Sequence, residues 1–132
     1  MGSVGSLADK VKDRFRKAGR FKMSPENVVK LIRARDAKLM KILDEHMGVS
    51  MAGLIDGEGN IDQQAMKGRM ILAGVTLKSI TQHADPRDNG IVLFKNGVAE
   101  IAISQPFIDK RGRIKCVIVE PRFLIGDNLQ CR

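Results

Sequence analysis

The sequence predicts an α+β fold, in which N-terminal helices at about 6–19, 24–47 and 60–84 precede a small antiparallel sheet of three to four strands within 91–125. Three observations carry that reading. Apolar residues recur at helical spacing three times before residue 85, which is the mark of amphipathic helices. Beyond Gly90 the pattern becomes two apolar runs flanking Asn96-Gly97, the strongest short hairpin signal. Between the halves, Asp85-Pro86-Arg87-Asp88-Asn89-Gly90 is dense turn chemistry. A chain of 132 residues suits one domain, 1–132. Within it 1–22 reads as a basic amphipathic segment, 24–84 as a helical part and 91–125 as a β part.

The first helix starts at Ser6 with Asp9, carries Leu7, Val11, Phe15 and Ala18 on a narrow stripe, and ends near Gly19. The second has a clearer start. Ser24 is a good N-cap, Pro25 fits the first helical position, and Glu26 suits the first-turn dipole. Val28, Val29, Ile32, Leu39, Leu43 and Met47 form its apolar face, and Gly48 supplies the stop. Residues 49–60 are glycine-rich around a short apolar turn, Met51-Ala52-Gly53-Leu54-Ile55. Asn60 with Gln63 reads as the next capping pair. Met66, Met70, Ala73, Leu77 and Ile80 then follow at 4-3-4-3 spacing, interrupted by Gly68 and Gly74, which favours a third helix.

In the β part, Ile91–Lys95 and Val98–Ser104 form the hairpin arms, and Pro106 ends the pair. Asp109-Lys110-Arg111-Gly112 makes a second turn into Arg113–Glu120, followed by Pro121 and a short apolar piece, Phe123–Ile125. Val117-Ile118-Val119 is apolar on both faces, so a helix or a partner is expected to cover the sheet's second side. The sequence shows no evident internal repeat.

Five Phe and no Trp or Tyr leave Ile, Leu, Val and Met to fill the core. The formal net charge of +8 is unevenly spread: residues 1–47 carry twelve Lys/Arg against six Asp/Glu, and residues 48–90 four against five. Such asymmetry points to a polyanionic partner, either nucleic acid or an anionic membrane surface. Residues 6–22 hold seven bases against two acids. Lys10, Arg14, Arg16, Lys17, Arg20 and Lys22 are the candidate contacts there, and Lys110, Arg111 and Arg113 at the second turn extend the set. Reading of single strands by stacking is disfavoured by the scarcity of aromatics.

Cys116 sits in an apolar run and reads as a small buried hydrophobe, and Cys131 is next to last. No disulfide framework, signal peptide or bilayer-spanning run is evident, so an intracellular (cytoplasmic) or virion setting is expected. His46 and His83 stand apart from other ligand types and read as helix-end polar residues. No metal site, nucleotide fingerprint or cofactor is expected.

Residues 51–59, Met-Ala-Gly-Leu-Ile-Asp-Gly-Glu-Gly, resemble the signature of the LAGLIDADG homing endonucleases and maturases. Ala52, Gly53, Leu54, Ile55, Asp56 and Gly59 match it. The resemblance implies a motif helix packed against its twin through Ala52 and Gly53, with Glu58 as the catalytic acid holding a divalent metal at the scissile phosphate. In that family the motif opens the domain and runs into a long DNA-reading strand. Here it follows a basic helical stretch and leads into polar residues. Separately, Gly2 with Ser6 ahead of a basic helix resembles the membrane-targeting N-terminus of some viral matrix proteins and kinases, which implies N-myristoylation.

The reading favoured by the charge pattern is a non-enzymatic structural or assembly component of a larger complex, of virion or nucleoprotein type. Its basic N-terminal face would contact nucleic acid or another polyanion, and other subunits would make it an oligomer. The alternatives are a LAGLIDADG-like metal-dependent DNA endonuclease, dimeric through residues 51–59, and a membrane-peripheral matrix-like protein.

Overall fold

A computed structural model describes residues 24–85 and 88–130. The expected helix at 6–19 and the cations Lys10, Arg14, Arg16, Lys17, Arg20 and Lys22 lie outside the described residues, as do Gly2 and Cys131.

Helix α1, Pro25–His46, begins and ends where its caps dictate. Ser24 Oγ accepts from Asn27 N–H at 3.2 Å, Pro25 is the first helical residue, and Gly48 follows at φ 72. The buried stripe differs from the one expected. Val28, Leu31, Leu39, Ile42 and Leu43 are buried, whereas Val29 is 43% exposed and Ile32 only half-buried. Spacing explains the shift, because Val28, Leu31, Arg35, Leu39 and Ile42 advance by three or four residues and so share one face. Arg35 occupies a core position in that stripe. Its guanidinium leans outward onto the Asp36 carboxylate at 3.0 Å, which leaves the aliphatic stem to cover apolar surface.

Helix α2 is Gln63–Leu72, much shorter than the expected 60–84. Asp62 rather than Asn60 is its cap, accepting from Ala65 N–H at 3.1 Å. Gly74, at φ 72, turns the chain out of the helix, and the β-branched pair Val75-Thr76 opens strand β1, Val75–Ile80. The 4-3-4-3 spacing was half right. Met66, Met70 and Ala73 do pack as helical residues, while Leu77 and Ile80 belong to a strand.

Strands β2, Gly90–Lys95, and β3, Val98–Ser104, form the expected hairpin. Asn96 and Gly97 have φ of 51 and 84, the twin positive values of a type I′ turn. Arg113–Glu120 is two short pieces rather than one strand. Phe107–Ile108 (β4) pairs with Ile114–Lys115 (β5), and Ile118–Val119 (β6) joins the main sheet. Phe123–Ile125 is helical, within α3, Pro121–Ile125, because Pro121 is preset for a first helical turn.

The main sheet has the order β1-β2-β3-β6, all antiparallel, with a bulge between Leu93 and Phe94. On one face Ile91, Leu93 and Ile103 meet Leu39, Ile42 and Leu43 of α1, its C-cap Met47, and Met70 of α2. On the other, Val92, Phe94 and Ala102 meet Ile80 and Leu124 of α3. The expected cover on the second face is therefore supplied by a five-residue helix of the same chain. Lys95 ties the layers together, its Nζ donating to the Met47 carbonyl at the end of α1 at 2.9 Å.

Candidate polyanion interface

The turn between β4 and β5 is built by one carboxylate. Asp109 Oδ1 accepts from the N–H groups of Arg111 and Arg113, both at 2.9 Å. Its own N–H donates to the Arg113 carbonyl at 2.8 Å, and Gly112 N–H donates to the Asp109 carbonyl at 3.0 Å. Gly112, at φ 78, takes the left-handed position that closes such a loop. The Arg113 and Arg111 amides hold the Asp109 carboxyl below its ordinary value, and Lys115 adds to this. With its acid turned inward, the turn presents Lys110, Arg111, Arg113 and Lys115 to solvent. Residues 108–115 carry four cations against one acid, a net +3.

Packing extends this patch in a way the sequence did not show. β5 lies against α1, and the half-buried thiol of Cys116 feels the charges of Lys38 and Arg35. Lys38 and Arg35 of α1 thus lie within electrostatic reach of Cys116, the residue that follows β5. Their signal in the sequence was the recurrence of Lys30, Arg33, Arg35, Lys38 and Lys41 along one helix, visible only as a helical surface until β5 is docked on it.

Cys116 is less enclosed than expected and acts as a donor, its Sγ giving a hydrogen bond to the Ser104 carbonyl at 3.2 Å. Burial pushes the thiol up to about 11, with Lys38 and Arg35 pulling the other way. Ser104 itself is buried. Its N–H donates to the Val117 carbonyl at 2.8 Å, and its Oγ accepts from the Val117 N–H at 3.1 Å.

Residues 51–59 form turns, not the helix that the LAGLIDADG resemblance implies. The reason is the device just described. Asp56 Oδ1 accepts from Glu58 N–H at 2.8 Å and Asn60 N–H at 2.9 Å. Asp56 N–H donates to the Asn60 carbonyl, Gly59 N–H donates to the Asp56 carbonyl, and Gly59 stands at φ 85. Ile55 bridges Ile61 here as Ile108 pairs with Ile114 there. Ile-Asp-X-X-Gly-X-Ile therefore occurs twice, at 55–61 and 108–114, a repeat of seven residues missed in the sequence because the intervening side chains differ. Residues 55–62 carry three acids and no base, so the two turns share a backbone and oppose each other in charge.

Glu58 is exposed at the tip of the first turn, and the Asp56 carboxylate is held by its own loop. Among the described residues no group of three or more His, Cys, Asp or Glu is placed to hold a metal ion. His46 ends α1 as expected, but His83 lies in a loop, where its N–H and carbonyl are bound by the side chain of Asn89. A cavity of about 50 Å³ opens between α1 and the sheet, lined by Leu31, Arg35, Ile80, Gln105 and Pro106 among others. Gln105 Oε1 is buried there without a hydrogen-bond partner. A space of this size is large enough for ordered water and smaller than the several hundred Å³ typical of organic-ligand sites. No described helix is long and apolar enough to cross a membrane. Comparison with protein-family models, curated proteins and solved structures gives no match.

Proposed function

We propose that this chain is a non-enzymatic assembly component that meets nucleic acid or another polyanion through clustered cations. The observation that carries this reading is the basic turn at 108–115: four exposed cations on a hairpin with a single acid, Asp109, whose Oδ1 holds the loop and whose Oδ2 pairs with Lys115 at 3.5 Å. A fixed loop gives up little conformational entropy when it docks, so its charges act at low cost. The cations of residues 10–22 add to the same electrostatic attraction.

The chemistry fits backbone neutralisation rather than base reading. Lys and Arg on phosphates release counterions, which gives affinity that falls steeply with salt and little sequence preference. The test is fluorescence anisotropy of a labelled duplex across a salt series. The parent chain binds at low ionic strength, equally well in chelator. Lys110→Ala/Arg111→Ala/Arg113→Ala weakens binding and flattens the log–log salt slope by roughly 2 to 3, at about 0.9 per lost phosphate contact. Indifference of the parent to polyanions at low salt would sink the proposal, and an unchanged slope in the triple variant would remove the turn from the interface.

A further inference from the structure

The main sheet stops at β1, and among the described residues nothing pairs with the outer edge of that strand. Two hydrogen bonds fix which of its groups face outward. Asn96 N–H donates to the Gly74 carbonyl at 2.8 Å, and these two residues lie opposite each other, one step beyond the Val75–Lys95 pair. Bonded and non-bonded positions alternate along an antiparallel ladder. Thr76, Lys78 and Ile80 therefore exchange main-chain bonds with β2, while Val75, Leu77 and Ser79 turn their N–H and C=O groups outward. The far end agrees. Gln105 N–H donates to the Asn89 carbonyl at 2.8 Å, which points Ile91 toward β3 and leaves Gly90 and Val92 for β1.

This edge is poorly defended. Thr76, Leu77, Lys78 and Ser79 are all exposed, and the strand has neither a proline nor a bulge. Lys78 is its only charge. Open edges of this kind are templates for strand pairing. Apolar surface lies alongside: α2 contacts β1, and its last residues, Ile71 and Leu72, are 66% and 89% exposed. Leu77 sits opposite Leu93, whose side chain is in the helix-covered core. Leu77 therefore faces the same side of the sheet as α2.

We propose that β1 pairs antiparallel with β1 of a second copy of this chain, about a two-fold axis at Leu77. The edge is self-complementary in that register. Leu77 meets its own copy and Val75 meets Ser79, so outward groups bond to outward groups, while Thr76 falls opposite Lys78. Moving the axis to Lys78 would also align the outward groups, but it sets two like charges face to face. A two-fold axis normal to the sheet keeps both α2 helices on one side. The exposed Ile71 and Leu72 of each copy then flank the paired leucines.

Each copy carries +8, so long-range repulsion opposes the pairing and added salt strengthens it. That sign is opposite to polyanion binding, and the two readings therefore stand or fall separately. Sedimentation velocity at concentrations up to about 1 mM and moderate salt finds a dimer. Leu77→Lys places two cations at the axis and abolishes the dimer, with an unchanged circular dichroism spectrum because the site is on the surface. Leu77→Cys oxidises to a disulfide-linked dimer, since bonded pairs sit about 5.5 Å apart at Cα, within disulfide range. Thr76→Cys, facing Lys78 instead, does not. A parent chain that remains monomeric, a Leu77→Lys chain that dimerises like the parent, or equal cross-linking of the two cysteine variants would each overturn the proposal.

Discussion

Ser104 and Cys116 show how one buried polar residue holds two segments in place. Ser104 uses its N–H, its carbonyl and its hydroxyl on Cys116 and Val117, which pins the start of β6 to the end of β3. Ser104→Ala leaves the Val117 N–H without its side-chain acceptor, and about 1 kcal/mol of stability is lost in denaturant titration. The Cys116 thiol, raised from 9.0 to about 11, is protonated at neutral pH. It alkylates on the order of 100-fold more slowly than an ordinary thiol, as site-resolved mass spectrometry would measure. Asp56 and Asp109 titrate below their ordinary value of 3.8 because backbone amides bind their ionised forms. A lowered folded value means stability that is complete above the unfolded value and lost as pH falls through the folded one. Unfolding of Asp56→Asn/Asp109→Asn is accordingly less pH-dependent than the parent below about pH 4.

At the scale of elements, what the sequence displayed was chemistry confined to neighbouring residues. Ser24-Pro25, Gly48 and Asn96-Gly97 each specify a cap or turn locally, and α1 and the β2–β3 hairpin follow their signals closely. The failure at 60–84 has the complementary cause. Helical spacing ran on by coincidence through Leu77 and Ile80, and the deciding partner of that stretch, β2, lies beyond an intervening loop. Gly74 was the available clue. At φ 72 a side chain there would also strike the Asn96 side chain. Gly90 is tighter still. It stands at φ 158, and an added Cβ would collide with the Ile103 carbonyl oxygen across the ladder. Gly90→Ala costs upwards of about 2 kcal/mol in chemical denaturation, because backbone rather than a flexible side chain must yield. The basic turn itself was legible from Lys110, Arg111 and Arg113. The approach of Arg35 and Lys38 to Cys116 was not, since only the docking of β5 on α1 brings them there.

Across the whole molecule the sheet separates two kinds of surface. α1 and α2 cover one face and α3 the other, and the chain leaves for its acidic turn past the Lys95 end and for its basic turn past the Ser104 end. The two loops are built on one plan, in which an aspartate and a glycine set the shape and the variable positions around the glycine set the charge. They therefore behave as interchangeable cassettes. Exchanging residues 56–60 with 109–113 retains every group that defines the fold of either loop while moving Lys110, Arg111 and Arg113 to the site of the acidic turn and leaving Lys115 in place. The exchanged chain keeps its thermal midpoint, and under the proposed function its cross-links to a labelled duplex move with the exchanged loop. Because contour and charge are encoded by different residues here, either can be altered while the other stays fixed.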